Sequence, residues 1–214
     1  KIISAKEIDQ IACLIKGKPI YILSDEIYER LSYSEHSHIS PASNLQLKEK
    51  VFTVNGFSKT YSMTGWRLGY LVAPSVFLKE IIAIQKHMNA HTATFIQKGA
   101  CEAFSMPLDY YDRYNSDLRD KRQILLTIFQ KNKIDIIAPE GGLFAFIKIS
   151  NSGLSSDEFA AKLIEEKNVA VIPGIVYSPK WDSHIRISLV PNKDEFAEAI
   201  ERLASFIKEV TKND

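Results

Sequence analysis

Cysteine is almost missing from this chain. Cys13 and Cys101 are the only two among 214 residues, and neither belongs to a Cys-x-x-Cys pair, so a disulfide-stapled scaffold is excluded. Both read as small apolar residues of the interior, and their scarcity makes a reduced, cytoplasmic compartment the default. An excess of charge is also lacking: 27 Lys and Arg face 26 Asp and Glu, for a formal net charge of +1. A nucleic-acid binder would carry a clear basic excess, so that class is set aside. No apolar run approaches the ~18–20 residues that a bilayer-spanning helix needs, and no membrane partner is expected. Internal repeats and low-complexity tracts are missing. So are an initial methionine and anything resembling a signal peptide; the chain opens on Lys1 with a helix-like pattern, as a piece of a longer protein would. What is present is ordinary globular material, with 45% hydrophobic and 25% charged residues, which argues against disorder over most of the length. At ~100–200 residues per domain, the length allows one or two.

Apolar spacing supplies the elements. Ser4 and Glu7 form a Ser-x-x-Glu capping box, and Ile8, Ile11, Ala12 and Ile15 continue one helical face as far as Gly17 and Pro19. Residues 20–23 are a short β-branched run whose length and turn-like borders predict a buried strand, closed by Ser24, Asp25 and Glu26. Residues 33–46, rich in Ser, His and Pro, read as loop, with His36 and His38 solvated rather than metal-ligating. Val51 to Val54 is a second strand, Trp66 to Val72 a third, and Ser75 to Phe104 is helical with a break near 88–94. That order suits a layered α/β sheet. After Pro107 the character changes. Asp109 to Gln130 is a long polar helix, Phe144 to Ile149 a strand, and Ser155 caps a helix that runs to about Glu166. Val169 to Ile172 is a short strand stopped by Pro173 and Gly174; then Ile185, Ile187 and Leu189 alternate against His184, Arg186 and Ser188. Asn192 and Glu195 cap a last helix. The expected fold class is α/β, with a mostly parallel sheet and its helices in residues 1–110 and a smaller α+β domain in residues 111–214, the change lying near 105–118. Lys48, Glu49 and Lys50 and the C-terminal charges read as solvated faces.

Two positions stand out for chemistry. Asp25 lies at the carboxyl end of the first strand and Lys59 at that of the second. In open α/β sheets ligands bind outside such ends, so a carboxylate and an amine placed there could share one pocket. Spacing alone also allows Asp25 to be a helix N-cap and Lys59 a solvated loop lysine. Arg67 follows Lys59 by eight residues, and Tyr28 follows Asp25 by three, one helical turn away. Arg186 sits on the polar side of its strand, where a plain surface arginine would also sit.

The segments Ser24-Asp25-Glu26-Ile27-Tyr28-Glu29 and Asn55-Gly56-Phe57-Ser58-Lys59-Thr60-Tyr61-Ser62-Met63-Thr64-Gly65-Trp66-Arg67-Leu68-Gly69-Tyr70 strongly resemble the class I aminotransferases that use pyridoxal phosphate. The bacterial aspartate aminotransferase branch looks closest, and the resemblance runs over essentially the whole chain. It implies that Lys59 joins the cofactor aldehyde and then shuttles a proton between the substrate Cα and the cofactor C4′. A free lysine titrates near ~10.4, so such a site must hold its amine partly neutral for it to act as a base. Asp25 is implied as the partner of the pyridine nitrogen, keeping it protonated and the ring an electron sink. Tyr28 is implied on the 3′ oxygen, Arg67 as a fork on the phosphate, and Arg186 as the clamp on the substrate α-carboxylate. His91, with Thr92 and Thr94, resembles a segment that reaches toward a partner subunit. No metal is implied.

There are departures. The family often has a serine three residues before the lysine, where this chain has Gly56, and Ile175-Val176-Tyr177 differs from its small-aromatic-glycine segment. The family's phosphate-receiving turn, its ring stacked on the cofactor, an asparagine on the 3′ oxygen and a partner-subunit tyrosine all belong upstream of Lys1. The chain therefore reads as roughly the second half of a homodimeric aminotransferase acting on an L-amino acid, aspartate or glutamate, and a 2-oxo acid. On that reading the fragment alone is inactive and leaves exposed edges and apolar faces. The same scaffold could run a carbon–sulfur β-lyase, or serve as the pyridoxal-phosphate-sensing domain of a regulator.

Overall fold

A computed structural model describes residues 1–211, with Leu108 described by its backbone alone. The chain divides into two compact units, Lys1–Arg113 and Tyr114–Asp214.

The first unit begins with α1 (Ala5–Ile15), started by the capping box: Ser4 Oγ accepts from the Glu7 amide at 3.4 Å, and the Glu7 carboxylate accepts from the Ser4 amide at 2.9 Å. The buried stripe Ile8, Ala12 and Ile15 packs on Leu47 and Val51. Lys50 is not a solvated charge: its ammonium donates to the carbonyls of Ile15, the last residue of α1, and of Lys18, three residues beyond it. Both cysteines are exposed, against expectation. The stripe that buries positions 8, 12 and 15 turns Cys13 outward, and in the helix Thr94–Ala103 burial falls on Ala100 and Ala103 instead.

Strands β1 (Ile22–Asp25) and β2 (Val51–Gly56) pair in parallel, Ile22 beside Val51 and Asp25 beside Val54. Strand β3 (Gly69–Val72) runs antiparallel to β2, Gly69 facing Gly56. β1 starts two residues later than expected and is buried on one side only: Ile22 packs against the α1 cluster, while Leu23, pointing the other way, is 72% exposed. β3 starts at Gly69 rather than Trp66, because residues Thr64–Trp66 form a 3₁₀ turn and Arg67 is left-handed, with φ 53° and ψ 47°. A strand cannot run through that conformation. Helices α2 (Leu78–Asn89) and α3 (Thr94–Ala103) follow, with Ala90 at φ 55° marking the break.

Helix α4 (Leu108–Lys131) contains the boundary between the units. In the second unit β4 (Phe144–Lys148), β5 (Ile172–Pro173) and β6 (His184–Ser188) form an antiparallel sheet in the order β4-β6-β5. Residues 169–171, expected in a strand, do not pair; only Ile172 and Pro173 do. Helix α5 (Ser156–Lys167) starts at a second capping box on Ser155, and α6 (Lys193–Thr211) at Asn192, whose side-chain oxygen accepts from the Glu195 amide at 3.0 Å. Ile185, Ile187 and Leu189 line the core with Phe159, Leu203 and Phe206, all at most 5% exposed. The expected solvated charges at 212–214 lie outside the described residues. Among the described residues no helix is long and apolar enough to cross a membrane, and no acidic, His or Cys cluster could hold a metal.

Candidate active site

Parallel pairing puts the carboxyl ends of β1 and β2 at one edge of the sheet, and antiparallel β3 begins at that same edge. Asp25 is the last residue of β1, Lys59 comes three residues after β2 ends at Gly56, and Arg67 comes two before β3 begins at Gly69. Topology alone therefore brings an acid, an amine and a guanidinium to one end of one sheet.

Local hydrogen bonds fix the segments that carry them. Asp25 is exposed; its Oδ1 accepts from the Ile27 amide at 3.2 Å, while Oδ2 has no partner among the described residues. It thus caps a turn rather than a helix: Glu29 N donates to Glu26 O and Leu31 N to Tyr28 O, each at 2.9 Å, and half-buried Tyr28 rides on that turn. Lys59 is half-buried, and its amine makes no hydrogen bond or ion pair with a described residue. The loop that carries it is pinned by Tyr61 N and Met63 N donating to Phe57 O, at 3.3 and 3.2 Å, and by Thr64 Oγ1 donating to Ser58 O at 2.9 Å. Arg67 donates from Nη1 to Thr64 O at 3.0 Å and keeps its other guanidinium donors unused among the described residues.

Packing holds this frame. The Trp66 ring lies on Gly99 of α3 so closely that a Cβ there would meet ring carbon Cζ3 at 2.6 Å. Phe57 stacks on Tyr61 at 5.3 Å and meets Phe104 edge-on at 5.3 Å, and Tyr61 meets Tyr111 edge-on at 6.0 Å. Desolvation, and after it the hydrogen bond to Tyr61, push the Tyr111 phenol up to about 12. The absent serine at Gly56 has a steric reason: a Cβ would lie 3.0 Å from Leu68 O and 3.2 Å from both Gly69 Cα and Ile27 Cδ1. A hydroxyl there could be seated only by shifting β3.

Two side chains that shape this edge escaped the sequence reading. Glu26 is 4% exposed, with His38 Nε2 3.0 Å from one carboxylate oxygen and Ser40 Oγ donating to the other at 2.7 Å. His38 is therefore a hydrogen-bond partner of a buried carboxylate and not a solvated loop residue. The only sequence signal was an acid beside Asp25 at the end of an apolar strand, which spacing cannot tell from a surface glutamate.

In the second unit, Arg186 lies on the polar side of β6, half-buried, its guanidinium carbon 4.0 Å from the Phe144 ring centre and 5.5 Å from that of Tyr177. It makes no hydrogen bond or ion pair with a described residue, so its planar donor edge is unused between two rings. His184 stacks on Phe146 at 5.6 Å, and burial, then the charge of Lys148, hold its imidazole below the ordinary range.

This arrangement, idle carboxylate, amine and guanidinium groups at the strand ends of an α/β unit followed by an α+β unit, belongs to a known class: the chain is a member of the class I and II aminotransferases, whose family profile matches residues 1–203. The aspartate aminotransferase of Pyrococcus abyssi is 30% identical over 97% of this chain and 54% of its own length. The probable aspartate/prephenate aminotransferase of Rickettsia felis is 33% identical over 92% of this chain and 51% of its own. The crystal structure of the aromatic aminotransferase of Pyrococcus horikoshii aligns with a TM-score of 0.91 at 30% identity, over 96% of this chain and 56% of that one. The chain thus spans about half the length of the curated relatives it matches.

Proposed function

We propose that this chain carries the second half of a pyridoxal-phosphate-dependent aminotransferase, in which Lys59 is catalytic, Asp25, Tyr28 and Arg67 hold the cofactor, and Arg186 holds the substrate carboxylate. One observation supports this above the others: Asp25, Lys59 and Arg67 share one sheet edge with hydrogen-bonding capacity that no described residue uses. Members of this family use pyridoxal phosphate, and the donor set fits it: a carboxylate for a ring nitrogen, an amine for an aldehyde, a guanidinium for a phosphate. When bound, the cofactor supplies an electron sink for the pair left when the substrate Cα loses its proton. Asp25 holds the proton on the ring nitrogen, because a carboxylate stabilises the charged partner it faces. Lys59 would take the Cα proton and return one to the cofactor-side carbon. Tyr28 donates to the 3′ oxygen from its turn. Arg67 grips the phosphate while its tie to Thr64 fixes the guanidinium plane. Arg186, lying against Phe144, offers its donor edge to the α-carboxylate and so orients the Cα–H bond.

The reaction is transfer of an amino group between an L-amino acid, aspartate or glutamate, and a 2-oxo acid. The full-length protein is a cytoplasmic homodimer. The 214-residue chain alone transaminates below detection; measurable turnover by it would refute the fragment reading. For the full-length protein the test is borohydride reduction with bound pyridoxal phosphate and peptide mapping. The label is expected on Lys59, with Lys59→Ala losing about 10²–10⁴-fold or more in rate, the scale of a general base. A label on any other lysine, or pyruvate and ammonia from a sulfur-substituted amino acid with no oxaloacetate from aspartate, would overturn the proposal.

A further inference from the structure

Glu26 is tied in three directions at once. Its amide donates to Val54 O of β2 at 2.8 Å, so it extends the parallel ladder one residue past Asp25. Its carbonyl closes the turn to Glu29 at 2.9 Å. Its carboxylate, buried, takes His38 at 3.0 Å and Ser40 at 2.7 Å, one on each oxygen. The far end of that brace is itself anchored. Ser40 begins the 3₁₀ turn Pro41–Ser43, its hydroxyl accepts from the Ala42 amide at 3.3 Å, and Asn44 donates to Asp9 of α1 at 2.8 Å. A carboxylate removed from water must keep both oxygens occupied, so loop 38–40 and strand end 25–26 are held as one piece.

That piece carries the two groups assigned to the cofactor ring. Asp25 immediately precedes Glu26, and Tyr28 sits in the turn that the Glu26 carbonyl closes. Asp25 itself has little else to fix it: it is exposed, with one amide contact at 3.2 Å to Ile27, a residue of the same turn. We propose that Glu26, braced by His38 and Ser40, is a positioning residue that sets where the Asp25 carboxylate and the Tyr28 phenol meet the cofactor ring. This rests on the functional reading above. It adds that the angle of the acid toward the ring is set from a loop remote in sequence, through a side chain that touches neither cofactor nor substrate.

The test uses the full-length, cofactor-loaded protein with Glu26→Ala, Glu26→Gln and the double variant His38→Gln, Ser40→Ala. Glu26→Gln keeps the size and an acceptor for Ser40. Three readouts are taken: the dissociation constant for pyridoxal phosphate, the pH midpoint of the bound cofactor's visible absorption, and hydrogen exchange of the 26–31 amides. Glu26→Ala and the double variant are expected to bind cofactor about 10- to 100-fold more weakly, the scale for groups that orient a ligating side chain, with a displaced pH midpoint and faster exchange at 26–31. Glu26→Gln is expected to restore most of the affinity. A brace that only stabilises the fold would lower Tm and leave the dissociation constant and pH midpoint at wild-type values, which overturns the proposal. If Glu26→Ala does not fold, the double variant, altered on the loop side only, decides alone by the same criteria. Failure of the functional reading looks different: the unaltered protein would not take cofactor on Lys59.

Discussion

In the second unit Phe129, Phe159, Phe196 and Phe206 are each at most 2% exposed, while in the first Leu23, Met88 and Phe95 are each more than 70% exposed. The second unit buries twice as many apolar side chains among the described residues. Its sheet is antiparallel, with α5 packed against β5 and β6 and α6 packed against α5; the first unit's sheet packs α1 on one side and leaves Leu23 open on the other. Stability and chemistry are thus divided. The second unit holds itself together by burial, whereas the first assembles idle charges at a sheet edge and leaves apolar surface of the kind that marks a contact.

The sharpest way to break that comparison is to truncate a phenylalanine in each unit. Phe159→Ala removes a fully buried ring that meets Phe206 edge-on at 5.0 Å, and should cost about 3–5 kcal/mol. Phe95→Ala, at 75% exposure, should cost less than about 0.5 kcal/mol. Urea midpoints measure both. Similar losses would mean that the open faces of the first unit carry as much of the stability as the second unit's core does.

Glycine positions sharpen it further. A Cβ on Gly174 would stand 2.0 Å from Trp181 O and 2.5 Å from His184 O, backbone atoms that cannot step aside. Gly174→Ala should therefore cost about 3 kcal/mol or more. A Cβ on Gly99 meets only the Trp66 ring, which can swing, so Gly99→Ala should cost about 1 kcal/mol. Because Trp66 ends the turn before Arg67, the cheaper substitution should do more harm to phosphate binding. Denaturation midpoints and the cofactor dissociation constant separate the two effects. If Gly99→Ala leaves the dissociation constant unchanged, Trp66 does not position Arg67.

What could be read from sequence follows the same division. Local signals came through: both Ser-x-x-Glu capping boxes form as their spacing requires, and the alternation in β6 places Ile185, Ile187 and Leu189 inside. Motif singles out Asp25, Lys59 and Arg67 as candidates, and β-pairing supplies what spacing could not, a common sheet edge. Pairwise long-range contacts were not legible. Glu26 with His38, Lys50 with the end of α1, and Trp66 on Gly99 join residues 12 to 35 positions apart, with no periodicity to announce them. Strand Trp66–Val72 was overextended for another reason: hydrophobic pattern does not report a left-handed backbone, and Arg67 is left-handed.

The smallest expected effect concerns how dry the aromatic face around Arg186 is. His184 shares that face, against Phe146 at 5.6 Å and Trp181 at 5.1 Å, and pairs across the strands with Lys148. Burial first, and Lys148 second, lower its pKa from the ordinary 6.5. Well above pH 6.5 the ring is neutral in both folded and unfolded chains and contributes no pH dependence. As pH falls through that value the unfolded chain takes up the proton first, so stability declines, and the loss levels off once the folded imidazole is charged as well. Between pH 7 and pH 5 the loss should be well under about 1 kcal/mol, because the ring is only half-buried and solvent screens Lys148. Carboxylates also titrate in that interval, so the measurement is the difference between the wild type and His184→Phe, read from urea midpoints at both pH values. His184→Phe should lose less on acidification, and Lys148→Gln should fall between the two. Parallel losses would mean that water reaches the imidazole freely. The aromatic wall would then add little to the carboxylate contact proposed for Arg186, since a guanidinium gains strength only where solvent is kept away.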